Sequence, residues 1–123
     1  MTLEEIARQL VKNCREGRER EGLSELYDPH CESVESTDPP EGSRISKGVE
    51  AIEGKHEWWG QAFEVHASEA DGPYLHEPHQ FAVIFTMDVT EKASGQRWKG
   101  KEIGLYTVAE GKIVKEEFFQ PPM

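Results

Sequence analysis

The chain has 123 residues, of which 24 are acidic and 14 basic, so its formal net charge is −10 at pH 7. This length suits one domain with a single core, predicted over residues 1–123. The acidic excess argues against nucleic acid and membrane partners, because both present phosphates that attract a basic face. The apolar runs are too short to span a bilayer, and the N-terminus is acidic where a secretion signal is basic. With two cysteines, a reduced cytoplasmic protein is favoured.

Two helices are predicted at the start of the chain. The first begins with a capping box, in which Thr2 precedes Glu5 by three residues, and ends near Gly17. Its apolar face consists of Leu3, Ile6, Leu10, Val11 and Cys14. A short second helix includes the Leu26-Tyr27 pair and should stop at Asp28-Pro29, because proline cannot continue a helix.

A third helix is predicted after a weak strand over residues 31–36 and a Pro- and Gly-containing loop over residues 37–43. It runs from about Lys47 to Ala62. Its apolar face consists of Val49, Ile52, His56, Trp59 and Phe63. His56 is therefore expected on the buried side. The adjacent Trp58 and Trp59 cannot both face inward, because neighbouring helical residues differ by about 100°.

The second half of the chain is predicted to form strands. Their ranges are 65–70, 81–89, 97–109 and 112–120, and a turn over residues 71–73 follows the first. Helices followed by strands favour an α+β fold over alternating βαβ units.

The last two strands should form a hairpin around Glu110-Gly111, a plausible two-residue turn. Uninterrupted pairing from Ala109 and Lys112 would place Leu105 opposite Glu116 and Ile103 opposite Phe118. One predicted face of this hairpin then includes Glu116, and the other includes Glu102, Tyr106, Val108 and Phe119. Both faces mix carboxylates with apolar groups, so polarity alone does not show which one is concave.

Several short motifs occur in a characteristic order: Leu26-Tyr27, Gly48 to Ile52, Glu57 to Trp59, Tyr106 to Val108 and Gly111 to Val114. With the order of elements, they resemble the SnoaL-like branch of the nuclear-transport-factor-2-like superfamily, from about Ile6 to Gln120. The resemblance implies a cone, in which a curved, mostly antiparallel sheet surrounds a pocket packed by about three N-terminal helices. It also implies a homodimer through the outer face of the sheet, with Phe119, Tyr106 and Val108 as candidate contacts.

The resemblance also suggests a catalytic carboxylate. In ketosteroid isomerase relatives, a carboxylate base lies shortly after the pair that ends the second helix, and an ungapped count from Leu26-Tyr27 places Glu35 there. The relatives' oxyanion hole uses a tyrosine on the first helix and a protonated aspartate on a late strand. Here the first position holds Leu10-Val11 and Glu102 lies near the second, which disfavours steroid isomerisation.

Three candidate catalytic residues follow: Glu35, His56 and Glu116. Each also has a structural interpretation, since Glu35 could be a solvated carboxylate and His56 a hydrogen-bonded core residue. Glu116, among apolar residues, needs a partner, a proton or water. A salt bridge from one of the basic residues on the preceding strand is the alternative: Arg97, Lys99 or Lys101. The candidate ligand-binding residues are Trp59, Phe63, His66, Phe85, Glu102, Tyr106 and Phe118.

No metal or cofactor is expected. His76 and His79 lie in a Pro-containing loop without a third ligand fixed by spacing, and no Gly-rich phosphate loop or Cys-x-x-Cys pair occurs. The predicted function is a pocket for a small apolar or carbonyl-containing ligand. The chain would be a cofactor-independent isomerase, cyclase or dehydratase that acts by proton transfer. The alternative is a non-catalytic ligand-binding or oligomerisation module.

Overall fold

A computed structural model of the chain describes residues 1–39 and 42–120. The elements are α1 (Leu3–Glu16), α2 (Glu19–Leu26), β1 (Tyr27–Val34), β2 (Ile45–Lys47), α3 (Val49–Ala62), β3 (Phe63–His76), β4 (Gln80–Glu91), β5 (Arg97–Ala109) and β6 (Lys112–Phe119). Within the described residues, the strands form one curved, unclosed sheet of the order β2-β1-β6-β5-β4-β3, in which only β1 and β6 pair in parallel. The predicted α+β class with three helices is confirmed. None of the described helices combines the length and the apolarity needed to cross a membrane.

The ends of α1 form as predicted. The Thr2 hydroxyl accepts a hydrogen bond from the Glu5 N–H at 3.1 Å, and the Glu5 carboxylate accepts one from the Thr2 N–H at 2.8 Å. Gly17 ends the helix with a φ of 69°, a left-handed conformation that favours glycine. The placement of Tyr27 in α2 was wrong, because this residue begins β1. Pro29 also lies in β1, where the pairing with β6 shifts register between Tyr27 and Glu32.

Several strand boundaries differ from the prediction: β1 spans Tyr27–Val34 rather than residues 31–36, and β3 begins at Phe63 rather than at residue 65. β3 is continuous, and the expected turn over residues 71–73 is instead a register shift against β4 between Asp71 and Tyr74. Gly72 and Pro73 therefore lie in a β-bulge rather than in a turn, and both residue types occur at bulges within strands. The short strand β2 was not predicted. Positions 40 and 41 of the predicted loop lie outside the described residues.

The hairpin of β5 and β6 turns at Glu110 and Gly111, whose φ angles of 51° and 75° suit a type I′ turn. Ala109 pairs with Lys112 as predicted. The next pair, Val108 with Ile113, also follows the prediction. Thr107 then pairs with Lys115 instead of Val114, so a bulge shifts the register by one residue. The predicted pairing of Glu116 with Leu105 was therefore wrong.

The bulge changes which residues share a face. Tyr106 pairs with Glu116 and Gly104 with Phe118, whereas Phe118 was expected opposite Ile103. Tyr106 and Val108 are buried in the core, so they are not available for the predicted dimer contact. Phe119 is exposed on the outer face, next to its exposed partner Ile103.

The core lies between the concave face of the sheet and the helices. Its buried residues on the helices and on the sheet are Ile6, Leu10, Val11, Leu23, Leu26, Ile52, Phe81, Val83, Tyr106, Val108 and Ile113. Polar side chains interrupt this apolar surface mainly where β1 runs beside β6, at Ser33 and Glu116.

Candidate functional site

Glu116 is the centre of a polar cluster on the concave face, with only 2% of its surface exposed. The Tyr27 hydroxyl donates to its Oε1 at 2.5 Å, and the Ser33 hydroxyl donates to its Oε2 at 2.9 Å. The parallel register that pairs Ser33 with Glu116 brings these groups together. Burial raises the pKa of Glu116, while the Tyr27 hydrogen bond and the Lys55 charge oppose that rise.

Lys55 extends the cluster from α3 toward the end of β1. Its ammonium donates to the Ser33 hydroxyl and, at 2.8 Å, to Oε1 of Glu35. The same nitrogen lies 5.3 Å from the centroid of the Phe118 ring, within reach of a cation–π contact. A continuous hydrogen-bonded chain therefore connects Tyr27, Glu116, Ser33, Lys55 and Glu35.

Glu102 lies beside this chain on β5, with Phe85 as its partner on β4. Burial, together with the charge of Glu35, raises its pKa to about 7, while Lys55 partly offsets the rise. Within residues 1–39 and 42–120, its carboxyl makes no hydrogen bond. Glu102 can therefore gain or lose a proton near neutral pH without breaking the chain that holds Lys55.

Aromatic rings form the wall around these groups. Tyr106 stacks on Phe81 with ring centroids 4.9 Å apart, and meets Phe118 edge-on at 6.2 Å. Gly104 makes this arrangement possible, because a Cβ there would lie 3.0 Å from the Tyr106 ring and 3.1 Å from Phe85. Aromatic rings thus border the polar groups on the concave face.

The structure brings together five of the predicted site residues: Glu35, Glu102, Tyr106, Glu116 and Phe118. Phe85 lies at the edge of this group. The alternative salt bridge of Glu116 with β5 is not formed: Arg97 and Lys99 pair with Asp88 on the outer face, and Lys101 alternates with them on that same face of β5. Glu35 was expected at the site by an ungapped count, and it reaches the cluster through its ion pair with Lys55.

The other predicted residues lie outside the hydrogen-bonded chain. α3 directs Lys55, rather than the neighbouring His56, toward Ser33 and Glu35; His56 is half-buried, and burial lowers its pKa. Trp59 stacks on Phe63 with centroids 5.0 Å apart at the junction of α3 and β3. His66 is exposed and hydrogen-bonded at 2.7 Å to Thr90 on the outer face of β4, so the structure does not bring it to the cluster.

Sequence reasoning missed Tyr27, Ser33 and Lys55 as site residues. Lys55 follows Ile52 by three residues and precedes Trp59 by four, so the apolar stripe of the helix already placed it on the inner side. A lysine on such a stripe needs a counter-ion, and this signal was available.

The histidines of the β3–β4 connection, His76 and His79, are exposed. In the part of the chain that the structure describes, no three histidine, cysteine or acidic side chains are placed to hold a metal. Burial raises the pKa of Cys14 and Cys31 to about 12, which keeps both thiols protonated and poorly nucleophilic.

The family model of the SnoaL-like domain matches residues 1–120, and the chain belongs to this SnoaL-like family. Its structure is similar to that of a protein from Mesorhizobium loti described as a SnoaL-like polyketide cyclase and carbohydrate phosphatase. The two are 37% identical with a TM-score of 0.90, over 98% of this chain and 100% of the other.

Two more distant structures share the fold alone. An NTF2-like protein from Burkholderia thailandensis has a TM-score of 0.81 at 16% identity, over 97% of this chain and 90% of its own. A protein with a ketosteroid isomerase-like fold from Catenulispora acidiphila, in complex with trimethylamine, has a TM-score of 0.72 at 15% identity, over 98% and 87%. No curated protein matches the sequence.

Proposed function

We propose that this SnoaL-like protein is a cofactor-independent enzyme that moves a proton on a small carbonyl compound in its cone. The observation that supports this proposal is the convergence of Glu102, Lys55 and Glu35 beside a buried hydrogen-bonded carboxylate. An isomerase, a cyclase and a dehydratase all need such a proton transfer next to a carbonyl group. The similarity to a protein described as a polyketide cyclase agrees with this class of reaction.

The roles follow from the contacts of each group. Glu102 accepts the proton, because its pKa of about 7 matches a general base at neutral pH. Lys55 uses two N–H groups for Ser33 and Glu35, and its third N–H can donate to the carbonyl oxygen as negative charge develops there.

The remaining members of the cluster are positioning residues. Glu35 and Ser33 orient Lys55, and Glu116 with Tyr27 fixes the Ser33 hydroxyl. His56 follows Lys55 in the sequence but lies outside the hydrogen-bonded chain, so its role as a proton carrier stays a prediction. Phe85, Tyr106 and Phe118 supply the apolar wall, while Trp59 and Phe63 would bound the far end of the pocket.

The test measures exchange of the α-protons of a neutral ketone, 4-phenyl-2-butanone, with deuterated solvent by NMR. The wild-type protein should accelerate exchange, and Glu102→Gln should lower the rate about 100-fold or more, since general base catalysis contributes about 10²–10⁴. Lys101→Gln changes the preceding, exposed residue and should leave the rate unchanged. Wild-type exchange no faster than with free glutamate, or equal rates for Glu102→Gln, would contradict the proposal.

The second candidate is a non-catalytic ligand-binding module. One observation favours it: both oxygens of Glu116 and one of Glu35 already accept hydrogen bonds within the protein. Saturable ligand binding without any α-proton exchange would select this alternative.

The partner predictions also belong to the proposal. We propose a cytoplasmic homodimer that binds neither nucleic acid nor membranes, the last two on account of its net charge of −10. Two exposed apolar side chains that pair across β5 and β6, Ile103 and Phe119, support a contact between two outer faces. Sedimentation equilibrium should give a mass twice the 14.0 kDa of one chain. The Ile103→Lys variant should give the mass of a single chain. A wild-type species of the single-chain mass would contradict the dimer.

A further inference from the structure

A cleft of about 360 Å³ opens where β1 and β6 stop pairing. Their register ends at Val34 and Glu117. Beyond that point, the Ser36 hydroxyl donates to the Phe118 carbonyl at 2.7 Å and accepts from the Gln120 N–H at 2.8 Å. This double contact ties the segment after β1 to the end of β6. Ligand pockets for small molecules measure about 300–1,000 Å³, so the cleft fits a compact ligand.

The cleft adjoins the polar cluster. Glu35 and Phe118 line the cleft, and both also contact Lys55. A ligand in the cleft would therefore contact Glu35 and Phe118, the two residues through which the cleft adjoins Lys55. Phe119 also borders the cleft, but from the outer face of the sheet, since neighbouring strand residues alternate between faces.

Among the described charged residues that line the cleft, Arg44 is the one that can bind an anion. Its two carboxylates each have a lysine partner: Glu35 pairs with Lys55 at 2.8 Å, and Glu117 with Lys115 at 3.5 Å. Arg44 is the only cation among the described lining residues.

The backbone of Arg44 is fixed on both sides. Its N–H donates to Asp38 Oδ1 at 2.8 Å, and its carbonyl accepts from the Glu35 N–H at 2.8 Å. The position from which the guanidinium extends is therefore set by the fold.

We propose that the cleft binds the carboxylate of a compact aromatic acid, with Arg44 on the carboxylate and Phe118 against the ring. The substrate class would thus be an anionic aromatic carbonyl compound, an inference that rests on the proposed function because the carbonyl group would extend past Glu35 and Phe118 toward Lys55. A guanidinium binds a carboxylate through two parallel hydrogen bonds, which also fixes its orientation. The net charge of the chain opposes anions only weakly at this range, since the Debye length is about 8 Å at physiological salt.

The experiment compares two probes of the same shape, cinnamate and its neutral analogue cinnamamide, by NMR titration of the ¹⁵N-labelled protein. Cinnamate should shift the signals of residues 34–36, 44 and 117–120. Arg44→Gln should weaken cinnamate binding about tenfold and leave cinnamamide binding unchanged. Arg8→Gln is the matched control, because Arg8 is an exposed arginine on α1, outside the cleft. Arg44→Lys, which keeps the charge but loses the planar fork, should fall between wild type and Arg44→Gln.

Three results would overturn the inference: no shifts up to about 10 mM cinnamate, equal affinity for both probes, or equal cinnamate affinity in wild type and Arg44→Gln. The spectrum of each variant shows directly whether it is folded, and Arg44→Lys keeps the test valid if Arg44→Gln is not. Neither probe requires turnover. Cinnamate binding that depends on Arg44, together with α-proton exchange that Glu102→Gln does not change, would refute the proposed function alone. Exchange that Glu102→Gln abolishes, together with cinnamate binding that does not depend on Arg44, would refute the substrate class alone.

Discussion

Glu116 and Asp88 are both strand carboxylates with two hydrogen-bonded oxygens, but they lie on opposite faces of the sheet. Asp88 accepts both bonds from one guanidinium, that of Arg97, at 2.8 and 2.7 Å. This contact lowers the pKa of Asp88, whereas burial raises the pKa of Glu116. The outer pair stabilises a charge in solvent. The inner cluster instead holds a carboxylate with neutral hydroxyls and a nearby lysine, where the free energy of a charge depends strongly on its neighbours.

The comparison predicts its largest effect for truncation of Glu116. Glu116→Ala leaves the buried hydroxyls of Tyr27 and Ser33 without their acceptor, while Lys55 keeps its contacts with Ser33 and Glu35. A buried donor left without an acceptor costs about 1–3 kcal/mol, and two such donors are left here. Urea unfolding should show a loss of this size, and Glu116→Gln, which keeps the shape and an acceptor oxygen, should lose far less. A loss for Glu116→Ala within about 1 kcal/mol, typical of surface pairs, would make the two faces equivalent.

The second prediction tests how tightly the aromatic rings of the inner face are packed. Gly104→Ala places a methyl group against the rings of Tyr106 and Phe85, both held by their own packing. Overpacking of this kind costs about 1–3 kcal/mol. Chemical denaturation should show it, with Gly54→Ala as a control on the exposed side of α3, where a Cβ meets no atom within 4 Å. Unchanged stability of Gly104→Ala would mean that the wall is loosely packed.

The same hairpin shows how far the sequence predicts the site. The turn at Glu110-Gly111 and the first pair of the hairpin were predictable, because Gly111 suits the positive φ that a two-residue turn requires. The bulge beside Val108 was not, since local alternation is intact on either side of it. One extra residue moved Tyr106 opposite Glu116, so the site depends on a feature that leaves no local pattern.

A similar limit applies to the elements around the hairpin. The capping box and the stripes of α1 and α3 are encoded within single helices, and both were predicted. The cluster itself joins Tyr27, Ser33, Lys55 and Glu116, which lie on three separate elements. Their contacts depend on the parallel register of β1 and β6, which no local spacing determines.

A third prediction concerns pH, because Glu102 and Asp88 should respond in opposite senses. The raised pKa of Glu102 means that the folded state binds its proton more tightly than the unfolded state. Its stabilising effect is full below the usual value of 4.5 and is lost as the pH rises through about 7. The lowered pKa of Asp88 stabilises the fold above its usual value, and that effect is lost as the pH falls.

Urea midpoints at pH 5 and pH 8 test this difference. The free energy of unfolding of the wild type, minus that of Glu102→Gln, should decrease from pH 5 to pH 8. Taking this difference removes the opposite contribution of His56, whose pKa is lowered, because both proteins contain it. A constant difference between the two proteins would contradict the burial of Glu102.

The smallest effect is expected on the outer face. Arg97→Gln removes the partner of Asp88, but solvent replaces the lost hydrogen bonds, so the thermal midpoint should hardly change. Ligand binding and α-proton exchange should also be unaffected. A large loss of stability would show that the outer pair supports the sheet as strongly as the inner cluster does.

The central claim is that the concave face holds a carboxyl poised to exchange a proton, and a ¹³C NMR titration of the Glu102 carboxyl tests it most directly. The expected pKa is about 7 in the wild type, and it should rise further in Lys55→Met, because the charge of Lys55 lowers it. A pKa near the ordinary 4.5 that does not respond to Lys55→Met would contradict the account.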